Sequence, residues 1–347
     1  MRIAQIAPLS ESVPPRLYGG TERIVHILTE ALVARGHEVS LFASADSRTS
    51  ARLVPCCPQA LRLDLSVRET LPYHIAMIEQ VRRRADRFDV LHFHIDLLHF
   101  PVFNGDARRT VTTLHGRLDL PELAPVYRLF NHMPLVSISD AQRAPMPPVN
   151  WMATVHHGLP LDLYRPGEGG DYLAFLGRIC PEKRPDRAIE IAVRAGVQLK
   201  IAAKVDRVDE AYYSTRIAPL LEHPLVSFVG EIGDAEKGRF LGGARALVFP
   251  IDWPEPFGLV MIEAMACGTP VIAFRAGSVP EVVEDGLTGF VVDDIEGAVA
   301  AVTALDRLDR RAIRRRFETR FSATRMAADY LGVYERLLAG EPLPHAA

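Results

Sequence analysis

Short apolar runs alternate with helix-patterned segments along almost the whole 347-residue chain, and this alternation limits the fold most. Residues 2–7, 38–43, 89–94, 110–114 and 135–138 read as strands in the first half; 172–175, 199–202, 226–230, 246–249 and 290–292 do so in the second. Helices are expected over 21–35, 73–87, 186–194, 210–221 and 235–241. Strands separated in this way pair in parallel through helical crossovers, which defines the α/β class. The length exceeds one ordinary core and suits two domains. Pro160, Pro166, Gly167, Gly169 and Gly170 mark 160–170 as the linker. The expected organisation is 1–160, then 161–321, with 322–347 holding a last helix (about 322–338) that packs back on the first domain.

The most informative stretch runs from Phe249 to Pro270. Its strand ends in a loop held open by Pro250, Pro254 and Pro256, and a helix is expected over 257–266, stopped by Gly268 and Pro270. Leu259, Val260, Met261, Ile262 and Met265 make that helix apolar on every side, the pattern of a buried helix. Glu263 is its one charge. A buried carboxylate needs partners, and with no basic residue on the same helix they come from another segment or from a ligand. Two vicinal hydroxyls would engage both carboxylate oxygens. Glu255 lies just before the helix at the carboxyl end of a strand, where open α/β sheets bind ligands. The amides of Phe257, Gly258 and Leu259 open the helix, an arrangement that favours phosphate. Hydroxyl acceptor, anion seat and second hydroxyl acceptor together describe a nucleotide-sugar site.

Further cations follow strand 172–175. Gly177 allows a tight exit, and Arg178 and Lys183 supply a planar fork and a point charge suited to a diphosphate. In the first half, loop 8–20 is long for a strand-to-helix connection and ends in Gly19-Gly20, which let backbone amides approach a ligand closely. Their spacing is not the G-x-G-x-x-G of a nicotinamide site. His92 and His94 are expected to be structural. His115, followed by Gly116 at the end of strand 110–114, is better placed for a ligand. Ser139-Asp140 reads as a helix cap.

A net charge of −3 creates no global field for nucleic acid or anionic membrane. The run Arg310, Arg311, Arg314, Arg315, Arg316 and Arg320 has only Phe317 and Phe321 nearby to stack on bases, so a solvated or interdomain face is expected, with weak peripheral contact to anionic lipid as the second reading. Cys56, Cys57, Cys180 and Cys267 lack metal-ligand spacing and fit a reducing compartment. Met1-Arg2 leads straight into a strand and no run of about 18 apolar residues occurs, so a cytoplasmic protein is expected.

Glu255-Pro256-Phe257-Gly258 through Glu263, continued by Ala264-Met265-Ala266-Cys267-Gly268-Thr269-Pro270, resembles the paired-glutamate motif of retaining family-4 glycosyltransferases. The glycine loop, the Asp89-Val90-Leu91-His92-Phe93-His94 strand, the Gly177-Arg178 to Lys183 element and the His157-Gly158 hinge are similar to that family too, and only 45–71 carries nothing recognisable. The resemblance implies two Rossmann-like domains facing across a cleft (the GT-B architecture), with the donor held mainly by the second and the acceptor by the first. It implies that Glu255 positions sugar hydroxyls, Glu263 the ribose, and His115 the sugar near its reacting carbon. Arg178, Lys183 and the helix amides would neutralise the leaving diphosphate without an obligatory metal or other cofactor. The catalytic expectation is thus His115, Glu255, Arg178 and Lys183. The donor-binding expectation is Gly19, Gly20, Arg178, Lys183, Glu255, Phe257, Gly258, Leu259 and Glu263. The expected reaction is retaining transfer of a hexose from a UDP-glucose-like donor to a hydroxyl of a small molecule, glycan or lipid. An epimerase of the same architecture, which would need an acid/base pair where the loop offers only Glu255, and a non-catalytic sugar-nucleotide binder are the alternatives.

Overall fold

The computed structural model describes residues 1–16 and 19–340; Leu17 and Tyr18 of the first loop, and residues 341–347 of the expected last segment, lie outside the described residues. The chain divides into two compact units, Met1–Gly158 with the segment from Ala323 onward, and Leu159–Ser322.

The first unit is built on seven strands: β1 (Arg2–Ile6), β2 (Glu38–Ser44), β3 (Arg52–Cys57), β4 (Val90–Phe93), β5 (Thr110–Thr113), β6 (Leu135–Ser137) and β7 (Trp151–Thr154). They lie in the order β3-β2-β1-β4-β5-β6-β7 and every pairing is parallel. Helices cover both faces of such a sheet, so its inner strands are apolar on both sides; all four residues of β4 are buried. The helix Gly20–Ala34 puts Ile24, Leu28 and Leu32 on its core face, each fully buried. β3 falls in the stretch where the sequence offered nothing recognisable. Pro55 interrupts its pattern, which an edge strand tolerates because one of its sides needs no ladder hydrogen bond.

The second unit holds β8 (Tyr172–Arg178), β9 (Gln198–Lys204), β10 (Val226–Gly230), β11 (Ala244–Phe249), β12 (Val271–Phe274) and β13 (Gly289–Val292), ordered β10-β9-β8-β11-β12-β13 and parallel throughout. The helix expected over 210–221 is not continuous. Glu210–Tyr212 is α-helical, Tyr213–Ile217 is a π turn and Ala218–Glu222 is 3-10. Pro219 has no N–H to donate and its ring blocks a regular α ladder.

The 160–170 stretch, expected as the linker, is fastened to the second unit: Gly167 N–H bonds the Cys267 carbonyl at 3.0 Å and Gly169 N–H the Gly242 carbonyl at 3.0 Å. A Cβ at Gly167 would fall 2.2 Å from the Gly242 oxygen, so only glycine fits there. Four of the six arginines in the run, expected as a solvated or interdomain face, are bonded within the second unit. Arg310 donates to the carbonyls of Gly167, Ala244 and Gly242, and Arg314 to those of Tyr164, Ala266 and Leu161. Arg316 and Arg320 converge on Glu284. All of these partners lie in the second unit, so four of the six arginines act as staples, and Arg311 and Arg315 are the exposed ones.

The C-terminal helix, Ala323–Ala339, belongs to the first unit and buries Tyr330 and Tyr334 fully. Arg325 on it donates to the carbonyls of His156 and His157 at 2.7 and 2.9 Å. In each sheet the strand order reverses direction at one place, between β1 and β4 and between β8 and β11. Ligands of open α/β sheets bind beyond the carboxyl ends of the strands at such a switch point. Among the described residues no helix is long and apolar enough to cross a membrane.

Candidate functional site

At the switch point of the second unit, the loops leaving β8 and β11 are tied to each other. Asp252 N–H bonds the Glu182 carbonyl at 2.9 Å, and the Asp252 carboxylate accepts from Arg184 (2.8 Å) and Arg187 (3.1 Å). Arg184 takes a left-handed conformation with φ 50°, which these bonds and its fork on Asp186 hold in place. The same closure brings Lys183 to Glu255: its ammonium donates to Oε2, which also accepts from Trp253 Nε1 at 3.1 Å. The ammonium lies 5.0 Å from the Trp253 ring and 5.3 Å from that of Phe249, within cation–π range.

Behind Glu255 the chain is clamped. Ser278 N–H bonds the Glu255 carbonyl and Ser278 Oγ the Phe257 carbonyl, both at 2.9 Å. A Cβ on Gly277, whose φ is +52°, would lie 2.4 Å from both the N and the O of Glu255. Gly277 is therefore a requirement of the loop's position. The helix begins two residues later than expected, at Leu259, with Gly258 (φ 77°) as its left-handed N-cap. The Phe257 side chain is 2% exposed and belongs to the core, so only its backbone is available to a ligand.

Glu263 is buried as its helix pattern requires, at 3% exposure, but it already has protein partners. Lys237 Nζ lies 3.2 Å and the Tyr164 hydroxyl 3.4 Å from Oε1. The carboxylate thus persists through Lys237 and Tyr164, on segments 26 and 99 residues away, and needs no ligand to do so. Arg178 pairs with Asp209 (3.3 Å) and Asp206 (3.6 Å), and Asp206 also holds Lys204 at 2.9 Å. Each expected cation therefore faces a carboxylate that an anionic ligand could replace. A cavity of ≈ 700 Å³ opens beside this loop, lined by Arg187, Asp252, Trp253, Phe274 and Gly277, and none of the expected ligand residues lines it.

The first unit carries Gly19, Gly20 and His115. Gly19 caps the helix Gly20–Ala34, and a Cβ there would meet Pro15 Cβ at 2.7 Å. His115 leaves β5 beside His94: His94 Nδ1 and His115 Nε2 are 2.9 Å apart, and His94 Nε2 is 2.7 Å from Gln5 Oε1. The His115 ring stacks on His157 at 5.4 Å and 18°. Burial pushes the pKa of His115 down to about 3 and holds His92, His94 and His157 well below the usual imidazole value. All four rings are neutral near pH 7. Gln142, five per cent exposed, splints this end of the sheet: it accepts from Ile138 N–H at 2.9 Å and donates to the Leu114 and Gly116 carbonyls at 2.9 and 2.8 Å. Ser139 caps its short helix, accepting from Gln142 N–H at 2.9 Å.

The family model described as "Glycosyltransferase Family 4" matches residues 18–146, and that described as "Glycosyl transferases group 1" matches 164–318. The chain belongs to the family-4 glycosyltransferases. Among this glycosyltransferase's relatives are a phosphatidyl-myo-inositol mannosyltransferase of Mycobacterium leprae, 28% identical over 96% of both chains, and a D-inositol 3-phosphate glycosyltransferase of Mycolicibacterium smegmatis, 27% identical over 88% of this chain and 84% of that one. A solved sucrose-phosphate synthase from Thermosynechococcus elongatus superposes with a TM-score of 0.79 at 20% identity, covering 98% and 100% of the two chains. The fold is the two-domain Rossmann-like GT-B fold.

Sequence reading of the glycosyltransferase missed three polar residues beside Gly277. Lys237 and Gln142 gave no signal, because Glu263 for the one and the Leu114 and Gly116 carbonyls for the other lie 26 or 28 residues away. Asp96 could have been found, as an acid just past the carboxyl end of β4. It takes φ 51°, unusual for a non-glycine residue, and its carboxylate accepts the His115 backbone N–H. The packed surroundings of the carboxyl push its pKa up to about 6, although the residue also presents surface to solvent. Cys56 and Cys57, with thiols pushed up to about 12 and 11 by burial, stay protonated and unreactive. Among the described residues no cluster of three or more His, Cys, Asp and Glu is placed to hold a metal ion.

Proposed function

We propose that this glycosyltransferase moves a hexose, with retention of configuration, from a nucleoside-diphosphate sugar to a hydroxyl acceptor. The observation that carries the reading is the direct pairing of Lys183 with Glu255 at the switch point of the second unit. A bound donor would exchange this pair for two better matches: its diphosphate for the carboxylate on Lys183, and its sugar hydroxyls for the ammonium on Glu255. Arg178, now held by Asp206 and Asp209, would take a second phosphate oxygen, and the amides of Gly258 and Leu259 would face the same charge. Glu263 would trade its bond from Tyr164 for one from the ribose while keeping Lys237. Neutralising the leaving diphosphate in this way is work for side chains and amides, with no obligatory metal. The departing oxygen takes the acceptor's proton on the same face, so no separate base is required.

UDP-glucose is the first donor to test, and GDP-mannose the second, because one relative is named a mannosyltransferase. Inositol phosphates join the acceptor screen because two relatives are named for inositol compounds. The experiment is incubation of the purified protein with each donor and a panel of hydroxyl acceptors, read by mass spectrometry and by NMR of the anomeric proton. A product with the donor's anomeric configuration supports the reading. Epimerised donor without an acceptor, or no turnover of any sugar nucleotide, would replace it with an epimerase or a non-catalytic binder.

A further inference from the structure

The first unit contains a buried chain of hydrogen bonds that ends at His115 and begins on the C-terminal helix. Tyr334 on that helix lies 3.1 Å from Gln5 Nε2 and 2.8 Å from His92 Nδ1, and His92 Nε2 lies 2.8 Å from Thr113 Oγ1. Thr113 Oγ1 is in turn 2.9 Å from the Tyr330 hydroxyl. On the other side Gln5 Oε1 meets His94, and His94 meets His115. Gln5, His92, Tyr330, Tyr334 and Thr113 are all fully buried, so no solvent intervenes to break the sequence.

A neutral imidazole has one N–H and one lone pair. In a chain of neutral rings the direction of one bond therefore fixes the direction of the next. The Gln5 carbonyl oxygen can only accept, so His94 Nε2 carries the proton and His94 Nδ1 is bare. His115 must then donate from Nε2, which leaves its Nδ1 with a lone pair. That atom is buried and has no hydrogen-bond partner among the described residues. On the other side the Gln5 amide nitrogen donates to Tyr334, Tyr334 donates to His92 Nδ1, and His92 donates to Thr113, with no conflict along the way.

We propose that Gln5, His94 and Tyr334 are positioning residues that fix the tautomer of His115 and hold its Nδ1 ready to accept a hydroxyl of a bound sugar. The inference rests on the donor reading above for the sugar nucleotide used as its probe. It gives the C-terminal helix a part in the chemistry: Tyr334 accepts from the Gln5 amide nitrogen and so belongs to the chain that ends at His115. If the Gln5 amide turned over, every bond in the chain would reverse and His115 would present an N–H instead.

The test is a long-range 15N–1H correlation spectrum of the histidine rings in the full-length protein. His115 is expected with Nε2 protonated and Nδ1 unprotonated; the opposite assignment overturns the inference. Titration with UDP-glucose, and in parallel with GDP-mannose, is expected to move the His115 Nδ1 resonance upfield as it accepts a hydrogen bond. If backbone resonances of residues 255–259 shift and His115 Nδ1 does not, the inference fails and the donor reading stands. If neither nucleotide moves any resonance, the donor reading fails and takes the hydroxyl contact with it, while the tautomer stands on its own spectrum. Gln5→Leu removes the acceptor for His94, and Tyr334→Phe frees the amide to turn over. Either is expected to mix the His115 tautomers and lower kcat on the order of tenfold, the value of one well-placed hydrogen bond. Gln5→Glu keeps an acceptor for His94 and is expected to keep the parent tautomer. An unchanged His115 spectrum in both Gln5→Leu and Tyr334→Phe would show that the chain only supports the fold.

Discussion

The two switch points of this glycosyltransferase share a topology and differ in their electrostatics. In the first unit the carboxyl ends of β4 and β5 are lined by His94, His115 and His157, all held neutral, and their order comes from directional hydrogen bonds. In the second, the ends of β8 and β11 carry full charges already met by opposite ones: Lys183 with Glu255, Lys237 with Glu263, Arg178 with Asp206 and Asp209. The contrast follows from what each side can exchange. An ion pair at a strand end can give up its partner to a phosphate or a sugar hydroxyl without leaving a buried charge unmet. A neutral chain cannot exchange charge, but it transmits a donor or acceptor choice across several residues.

Four predictions would sharpen or break this contrast. The largest effect is expected from Lys183→Ala, which leaves Glu255 without its ammonium and the donor without a phosphate cation. The kcat/KM for the sugar nucleotide should fall about 100-fold or more, with Lys183→Arg failing to restore it, because a planar fork does not replace a point charge. A parent-like steady-state rate in Lys183→Ala would remove the charged-exchange account. Next comes Glu263→Ala, for which calorimetry should show donor affinity reduced about tenfold while a nucleotide lacking both ribose hydroxyls binds parent and variant alike. Equal binding of the full donor would end the ribose assignment.

The third prediction concerns pH and takes opposite signs within the first unit. The buried histidines His92, His99 and His115 have folded pKa values below the usual imidazole value of about 6.5, so the unfolded chain binds more protons there. Their contribution to stability is complete above about pH 6.5 and is lost as pH falls toward about 3, where His115 titrates. Asp96 works the other way: with its pKa raised from 3.8 to about 6, the folded state binds more protons, and stability declines as pH rises through that window. Thermal melts between pH 4 and 7 should therefore show a weaker acid loss in His99→Leu and a steeper one in Asp96→Asn. Identical slopes in all three proteins would contradict both assignments.

The smallest expected effect, that of Arg315→Ala, is read against Arg314→Met on the same helix, Arg310–Arg320. Arg314→Met should cost about 2–3 kcal/mol of stability, because it strips donors from three backbone carbonyls. Exposed Arg315→Ala should stay within about 0.5 kcal/mol. Comparable denaturant midpoints for the two variants would return the run to a solvated face.

Much of this could be read in advance, for identifiable reasons. Strand-end residues such as His115, Arg178 and Glu255 were legible because a parallel sheet presents its carboxyl ends to ligands whatever its details. The cap at Ser139 and the burial of the helix Leu259–Ala266 were legible because both depend on local pattern. The edge strand β3 was not, since Pro55 masks the pattern, nor was the broken 210–222 segment, where Pro219 stops a helix that periodicity alone would continue. The arginine run was misread because Arg310 and Arg314 bond mainly backbone carbonyls, which no side-chain pattern reveals.

By itself the sequence determined the class of fold, the two-unit division and the kinds of group present at each strand end, because these follow from periodicity and residue type. Only the tertiary structure decided which polar group meets which. Glu263 finds Lys237 and Tyr164, and Gln5 on the first strand finds Tyr334 on the last helix, 329 residues away. Periodicity acts over a few residues, whereas a buried donor or acceptor must be satisfied by whatever the packed chain brings within about 3 Å. That choice exists only after the chain has folded.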